Sequence, residues 1–250
     1  MFNNTLYVVV PLYDEQDLIL FNLNSFLKQT DSNFKLILVD NNSTDNSVKV
    51  INKFANLHKE IFIDVIHEET KGTGAACDTG FSYAIKNGAN YIARIDADSS
   101  ASRKWVERIR KYFIKDHYEF IGGFVLPQQD KYFKWRDIPF AFGNDIGATS
   151  ALKTQYRGKQ YKYSYKYIVG VCMAITKDLY IKTGGFPRTR IEDVHEDFEL
   201  SQKVRLITKN VKKSYFLITY HSMRRMRVYG NKKFKAYYSR KWKTDNADVR

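Results

Sequence analysis

Four apolar runs rich in β-branched residues, Thr5 to Pro11 ("TLYVVVP"), Phe34 to Asp40 ("FKLILVD"), Ile61 to Ile66 and Tyr91 to Asp96, alternate with three segments of helical period. The helical segments are Leu18 to Leu27, Asp45 to Leu57 behind a Thr44 cap, and Ala75 to Ala84, which stops ahead of Lys86-Asn87-Gly88. Parallel strands need crossover connections, so this alternation predicts βαβ units: an α/β fold with a mostly parallel central sheet flanked by helices. In such sheets ligands bind beyond the carboxyl ends of the strands. Three of those ends read "PLYDE", "DNNSTD" and "DADSS", so polar and acidic side chains are expected to meet in one cleft.

The pattern continues with an amphipathic helix, "RKWVERIRKYF", whose Trp105, Val106, Ile109, Tyr112 and Phe113 share a face, and a strand, "FIGGFVLP". About thirty polar and aromatic residues follow from Gln128. Then come a strand from Tyr167 to Thr176, a short helix, the turn "TGGFP", an acidic stretch and a last strand, Tyr215 to Tyr220. No linker, repeat or low-complexity tract interrupts the 250 residues, which predicts one domain over 1–250. Cys77 and Cys172 sit among apolar or small neighbours and read as core residues. No run of about eighteen apolar residues occurs, and "MFNNTLYVVVPLYDE" lacks the basic region and cleavage site of a secretory leader, which predicts a cytoplasmic protein.

The carboxylates Asp96 and Asp98 repel unless a cation lies between them. Residues i and i+2 point the same way if the strand continues, and two such acids can hold Mg²⁺ or Mn²⁺ shared with substrate phosphates. An isolated D-x-D is more often a solvated loop, so its context decides. That context is Pro11-Leu12-Tyr13-Asp14-Glu15, Val39-Asp40-Asn41-Asn42-Ser43-Thr44-Asp45, Lys71-Gly72-Thr73-Gly74-Ala75-Ala76-Cys77-Asp78-Thr79-Gly80, Asp96-Ala97-Asp98, Gly184-Gly185-Phe186 and Glu196-Asp197. In this order and spacing the motifs resemble the family 2 glycosyltransferases of GT-A fold, over about residues 5 to 227. Asn41 stands where that family commonly has a second acid, and Asp78 where an asparagine is frequent.

The resemblance implies a nucleotide-sugar-binding half (1–100), an acceptor half (101–220) and a basic aromatic tail (221–250). It places Pro11, Tyr13, Glu15, Asp40 and Asn42 around the nucleoside, and Lys71, Gly74, Asp78, Asp96, Ala97, Arg224 and Arg225 around the diphosphate and sugar. It implies Asp98, Asp96 and His221 as ligands of Mn²⁺ or Mg²⁺. It also implies Asp197 as general base of an inverting transfer, with Glu196 reaching the acceptor and Asp193 as the competing base. A positioned carboxylate suits that task, because a hydroxyl is a poor nucleophile until its proton is taken. The implied donor is a nucleoside diphosphate sugar, UDP-linked by preference, and the acceptor a glycan or a lipid-linked glycan.

Two features carry readings of their own. Tyr161, Tyr163, Tyr165 and Tyr167 alternate with Lys162, Ser164 and Lys166, as an acceptor-stacking face or a half-buried edge strand would. The formal charge of +14 is concentrated late: His221 to Lys243 holds nine Lys or Arg and no acid, interleaved with aromatic residues. Residues 224–243 therefore suit peripheral contact with an anionic membrane, at its inner face. A nucleic-acid-binding module would share the charge, but acids at the strand ends would repel phosphates, so no nucleic acid is expected. A sugar nucleotidyltransferase would be expected to carry glycines, Arg and Lys after the first strand, where this chain has "PLYDEQDL".

Overall fold

The structure is a computed structural model that describes residues 5–143, 163, 166, 168–188, 195–228 and 230. Eight strands form one sheet in the order β3-β2-β1-β4-β7-β6-β8-β5. The first half follows the alternating pattern. β1 (Leu6–Leu12), β2 (Phe34–Asp40), β3 (Phe62–His67) and β4 (Tyr91–Arg94) pair in parallel, joined by α1 (Ile19–Leu27), α2 (Ser47–Leu57) and α3 (Thr73–Lys86). β1 and β2 are central and apolar, and both are buried over nearly their whole length.

The second half mixes directions. β5 (Ser99–Ala101), α4 (Trp105–Ile114) and β6 (Phe120–Pro127) are followed by helical backbone over 137–143 (α5), then β7 (Met173–Thr176), α6 (Lys177–Thr183), α7 (Glu196–Ile207) and β8 (Val211–His221). β7 is antiparallel to both β4 and β6, β8 is parallel to β6, and β5 is antiparallel to β8. Helices cover both faces over two apolar clusters, one including α1, α2 and α4 and the other α3, α6 and α7. All five residues expected on the inner face of α4 are buried. Each such large side chain contributes about 1.5 to 3 kcal/mol on leaving water. Cys77 and Cys172 are both buried, and burial pushes both thiols up in pKa. Among the described residues no helix is long and apolar enough to cross a membrane.

Several boundaries differ from the sequence-based expectation. β4 stops at Arg94 rather than Asp96, because a turn with Ser99 N donating to Asp96 O (3.1 Å) takes over. The strand expected from Tyr167 begins only at Met173, behind a single 3₁₀ turn at Gly170–Cys172. Thr44 does not cap α2: its amide donates to Asp14 Oδ1, and Asp45 Oδ1 instead accepts from Ser47 N at 2.8 Å. β8 is longer than expected, starting at Val211.

Two contacts hold the layers in register. Gly80 lets α3 settle onto β1 and β2, since a Cβ there would lie 2.8 Å from Val39 Cγ2 and closer still to Val9 Cγ1. Arg188, beyond α6, joins the β3–α3 loop: its Nη2 donates to Glu68 Oε2 at 2.8 Å and its Nη1 to Thr79 Oγ1 at 3.0 Å. Burial pushes the Glu68 carboxyl up, but the Thr79 hydroxyl, Arg188 and Thr70 outweigh it and hold the pKa at about 2.

Gly80→Ala is expected to lower stability by about 1 to 3 kcal/mol in urea denaturation, and adding Val9→Ala should recover part of the loss. An unchanged midpoint would show that α3 shifts freely. For Glu68 the folded pKa lies below the ordinary 4.5, so its stabilisation is present above pH 4.5 and drains away as pH falls toward 2. With Arg188 43% exposed, screening reduces this to about 1 to 2 kcal/mol. Glu68→Gln should flatten the acid limb of stability against pH, and equal slopes in variant and parent would rule the pair out.

Candidate active site

The ends of β1 and β2 lie side by side, with Leu12 opposite Asp40, and their loops are stitched together. Asp14, in the left-handed region at φ 50°, accepts from Thr44 N (2.6 Å) and Asp45 N (3.2 Å), and its own amide donates to Ser43 Oγ. Asp40 Oδ1 accepts from Ser43 N at 3.1 Å, and Oδ2 lies 3.2 Å from His67 Nδ1. Tyr13 sits under Lys71, whose Nζ is 4.9 Å from the ring centroid, so these two expected donor contacts do meet. Pro11 is buried inside β1. Val9 O accepts from Ile95 N, so the main chain two residues on faces the same side, where β4 has already ended, and the missing N–H breaks no rung.

Asn41 explains one departure from the family pattern. Its Nδ2 donates to Glu68 O and Thr70 O, both at 2.8 Å, while Oδ1 accepts from Gly72 N. A carboxylate could not make the two donations. Asn42, at φ 69°, donates to Glu68 O and Glu69 O, so its amide is engaged with the same loop. Gly74 packs at the start of α3, where a Cβ would overlap Pro187 O and approach Glu196 Cβ to 3.3 Å. Close approach therefore accounts for this glycine without phosphate. Asp78 bonds Tyr180 Oη (2.8 Å) and Arg188 Nη1 (3.3 Å), and lines a shallow depression with Gly184 and Gly185 rather than joining the acids at the strand ends.

The expectation that Asp96 and Asp98 project together does not hold, because the strand turns between them and each finds its own partner. Asp96 Oδ1 accepts from Arg94 Nε and Nη2, both at 3.1 Å. Ala97 is buried between them. Asp98 is buried, with Oδ1 3.2 Å from His221 Nδ1, which also lies 2.8 Å from Ser99 Oγ. The Ser99↔His221 pairing of β5 and β8 brings this histidine to the acid. Burial opposes the Asp98 charge, but His221, then Arg225 and Arg224, hold its carboxyl well below the usual carboxylate range. Arg224 Nη2 is 2.6 Å from Glu15 Oε1 and 3.8 Å from Asp98 Oδ2. Glu15 and Arg224, expected at the nucleoside and the diphosphate, are buried and paired with each other.

The Asp98 and His221 donor set fits a hard divalent cation. Asp98 Oδ2 is buried with no hydrogen-bond partner, a carboxylate oxygen and an imidazole adjoin, and no third acidic or thiol ligand joins them among the described residues. The remaining ligands would then be substrate and water oxygens. Asp96 fits less well, since its carboxylate is already bonded to Arg94.

The start of α7 supplies the other half. Asp197 lies in the first turn of α7, where Oδ2 accepts from Gly170 N (2.8 Å) and Oδ1 from Phe198 N (2.7 Å). Glu196, expected to reach the acceptor, is buried, and its Oε1 accepts from Arg94 Nη1 at 2.8 Å. Burial and then Asp197 push the Glu196 carboxyl up, against the pull of Arg94. Arg94 and Gly170 were not singled out in the sequence. Arginine at the end of the apolar run "YIAR", two residues before the acids, was the available signal. Asp193, Tyr161, Tyr165, Tyr167 and the tail from 231 lie outside the described residues, and Tyr163 N donates to Arg205 O at the end of α7.

Comparison with known proteins bears on the family and the fold. The sequence matches the family described as "Glycosyl transferase family 2" over residues 7–184. Glycosyltransferase GlyG of Streptococcus pneumoniae is 26% identical over 209 residues, covering 82% of this chain and 68% of that protein. A UDP-N-acetylglucosamine--dolichyl-phosphate N-acetylglucosaminyltransferase of Methanococcus voltae is 26% identical over 134 residues, covering 49% of this chain and 53% of that protein. Among solved structures, a mannosyltransferase from Pyrobaculum calidifontis in complex with GDP-Man and Mn²⁺ superposes with a TM-score of 0.68 at 18% identity, over 93% of this chain and 60% of that one. S. aureus TarS 1-349 in complex with UDP gives 0.63 at 16% identity, over 98% of this chain and 67% of that one. With the strand-end acids and the start of α7 gathered on a GT-A fold, the chain belongs to glycosyl transferase family 2 and is a glycosyltransferase.

Proposed function

We propose that the chain transfers a sugar, with inversion, from a UDP-sugar to a hydroxyl of a glycan or lipid-linked acceptor. The observation that carries this reading is the setting of Asp197. Both its oxygens are fixed by main-chain N–H groups, and its helix is tied through Glu196 and Arg94 to the Asp96 turn. As the acceptor oxygen bonds to the anomeric carbon, Asp197 takes the hydroxyl proton. The bond to the nucleoside diphosphate breaks on the opposite face, and its electron pair leaves with the diphosphate.

The chain divides into a donor half (1–100), an acceptor half (101–220) and a basic tail (221–250). Tyr13 and Asp40 hold the nucleoside, and Lys71 and Arg225 face the diphosphate. Asp98 and His221 would hold Mn²⁺ or Mg²⁺, which when bound would supply Lewis acidity to the departing diphosphate. UDP in the TarS structure supports the donor base, and Mn²⁺ in the mannosyltransferase supports the metal. The dolichyl-phosphate enzyme among the relatives supports a lipid-linked acceptor. Such an acceptor would put the reaction at the cytoplasmic face of a membrane, and with Arg224 engaged by Glu15 the contact proposed for residues 224–243 would fall to the other cationic and aromatic side chains of that stretch.

Calorimetric titration with UDP, GDP and dTDP, each with Mn²⁺ and with chelator, is expected to show UDP binding that needs the metal. Asp98→Ala should weaken that binding at least tenfold. Asp197→Asn should abolish transfer and leave UDP affinity within about threefold, so normal transfer by Asp197→Asn would refute the base assignment. Co-sedimentation with phosphatidylglycerol vesicles is expected at low salt and not with phosphatidylcholine. Equal partition between the two would remove the membrane role.

A further inference from the structure

Arg94 closes β4 and is 3% exposed. Its guanidinium serves two elements at once: Nε and Nη2 donate to Asp96 Oδ1, and Nη1 donates to Glu196 Oε1. The guanidinium carbon lies 5.9 Å from the Phe186 ring centroid. On another side Gly170 packs so close that a Cβ there would stand 2.6 Å from Arg94 Cζ. The Gly170 amide holds Asp197 Oδ2, and Glu196 is the residue before Asp197. Arg94 thus packs against the residue whose amide holds Asp197 Oδ2 and pairs with the residue before Asp197, while the bond from Phe198 N to Oδ1 is local to α7.

Resting on the transfer reaction proposed above, we propose that Arg94 is a positioning residue, setting the separation between the Asp96 turn on the donor side and the Asp197 carboxylate without touching substrate. The chemistry calls for arginine. Its planar fork places donors on two carboxylates in fixed directions, whereas a lysine ammonium is a point charge with no fixed fork geometry. Removing the cation leaves Glu196 as a buried acid without its partner, next to Asp197. A displacement of about 1 Å at a reacting group costs roughly a hundredfold in rate. In that reaction nucleotide affinity rests on other groups, Tyr13, Asp40, Lys71 and the Asp98–His221 pair, and should change little.

The test compares wild type, Arg94→Lys and the charge-balanced double variant Arg94→Met/Glu196→Gln. Thermal melting, UDP and GDP affinity with Mn²⁺, and kcat and KM for turnover of UDP-sugars and GDP-sugars are measured on each. Folded Arg94→Lys is expected to lose at least tenfold in kcat, with nucleotide Kd and KM within about threefold. The double variant removes the fully buried pair and leaves only the partly exposed Asp96 without its cation, so it is expected to melt near wild type and still show the loss in kcat. A kcat within threefold of wild type in either folded variant overturns the inference. So does loss of kcat and nucleotide affinity together, or failure of both variants to fold, which would make Arg94 a stability residue. A wild type that binds neither nucleotide and turns over no nucleotide sugar would instead refute the transfer reaction itself, and this inference with it.

Discussion

Acids brought together at one end of a sheet repel, and burying them raises the cost of each unpaired charge. Glu15, Asp40, Asp98 and Glu196 are all buried at or near the ends of β1, β2 and β4 and the start of α7. The architecture answers each with a cation or histidine from elsewhere in the chain. Arg224 and His221 come from the region around the end of β8, His67 from the end of β3, and Arg94 from the end of β4. Such pairs add little net stability relative to apolar packing, but breaking one is costly. They fix where the acids stand, which is what a reaction site needs.

The same requirement overrides local preference at two places. "YIVGVCMAIT" is apolar and β-branched enough to continue as a strand, yet Gly170–Cys172 forms a 3₁₀ turn. That turn aims the Gly170 amide at Asp197 and leaves room for the Arg94 guanidinium. "YIARIDAD" likewise leaves the strand early, so that Asp96 folds back on Arg94 while Asp98 turns toward His221. Departures of this kind, where propensity yields to a site, are where function is most directly visible in the backbone.

The two ion clusters meet at the D-x-D turn. One joins Glu15, Arg224, Asp98 and His221, and the other joins Asp96, Arg94, Glu196 and, through Gly170, Asp197. Arg188, Glu68 and Asp78 form a separate tie between the loop beyond α6 and the β3–α3 loop. It ties the segment after α6 to the loop that carries Lys71.

The order of strands and helices in the first hundred residues, the inner face of α4, the burial of both cysteines and the six motifs in family order were legible in the sequence. These depend on period, composition and local spacing, which a chain carries residue by residue. Whether an acid at a strand end faces substrate or an internal partner depends on which distant side chain reaches it, and that no local pattern records. Only the tertiary structure assigned Glu196 to Arg94, Glu15 to Arg224, Asp78 to Tyr180 and Arg188, and the Asn41 amide to the β3–α3 loop. Those pairings span 27 to 209 residues of sequence, so they exist only once the sheet has brought its strand ends together.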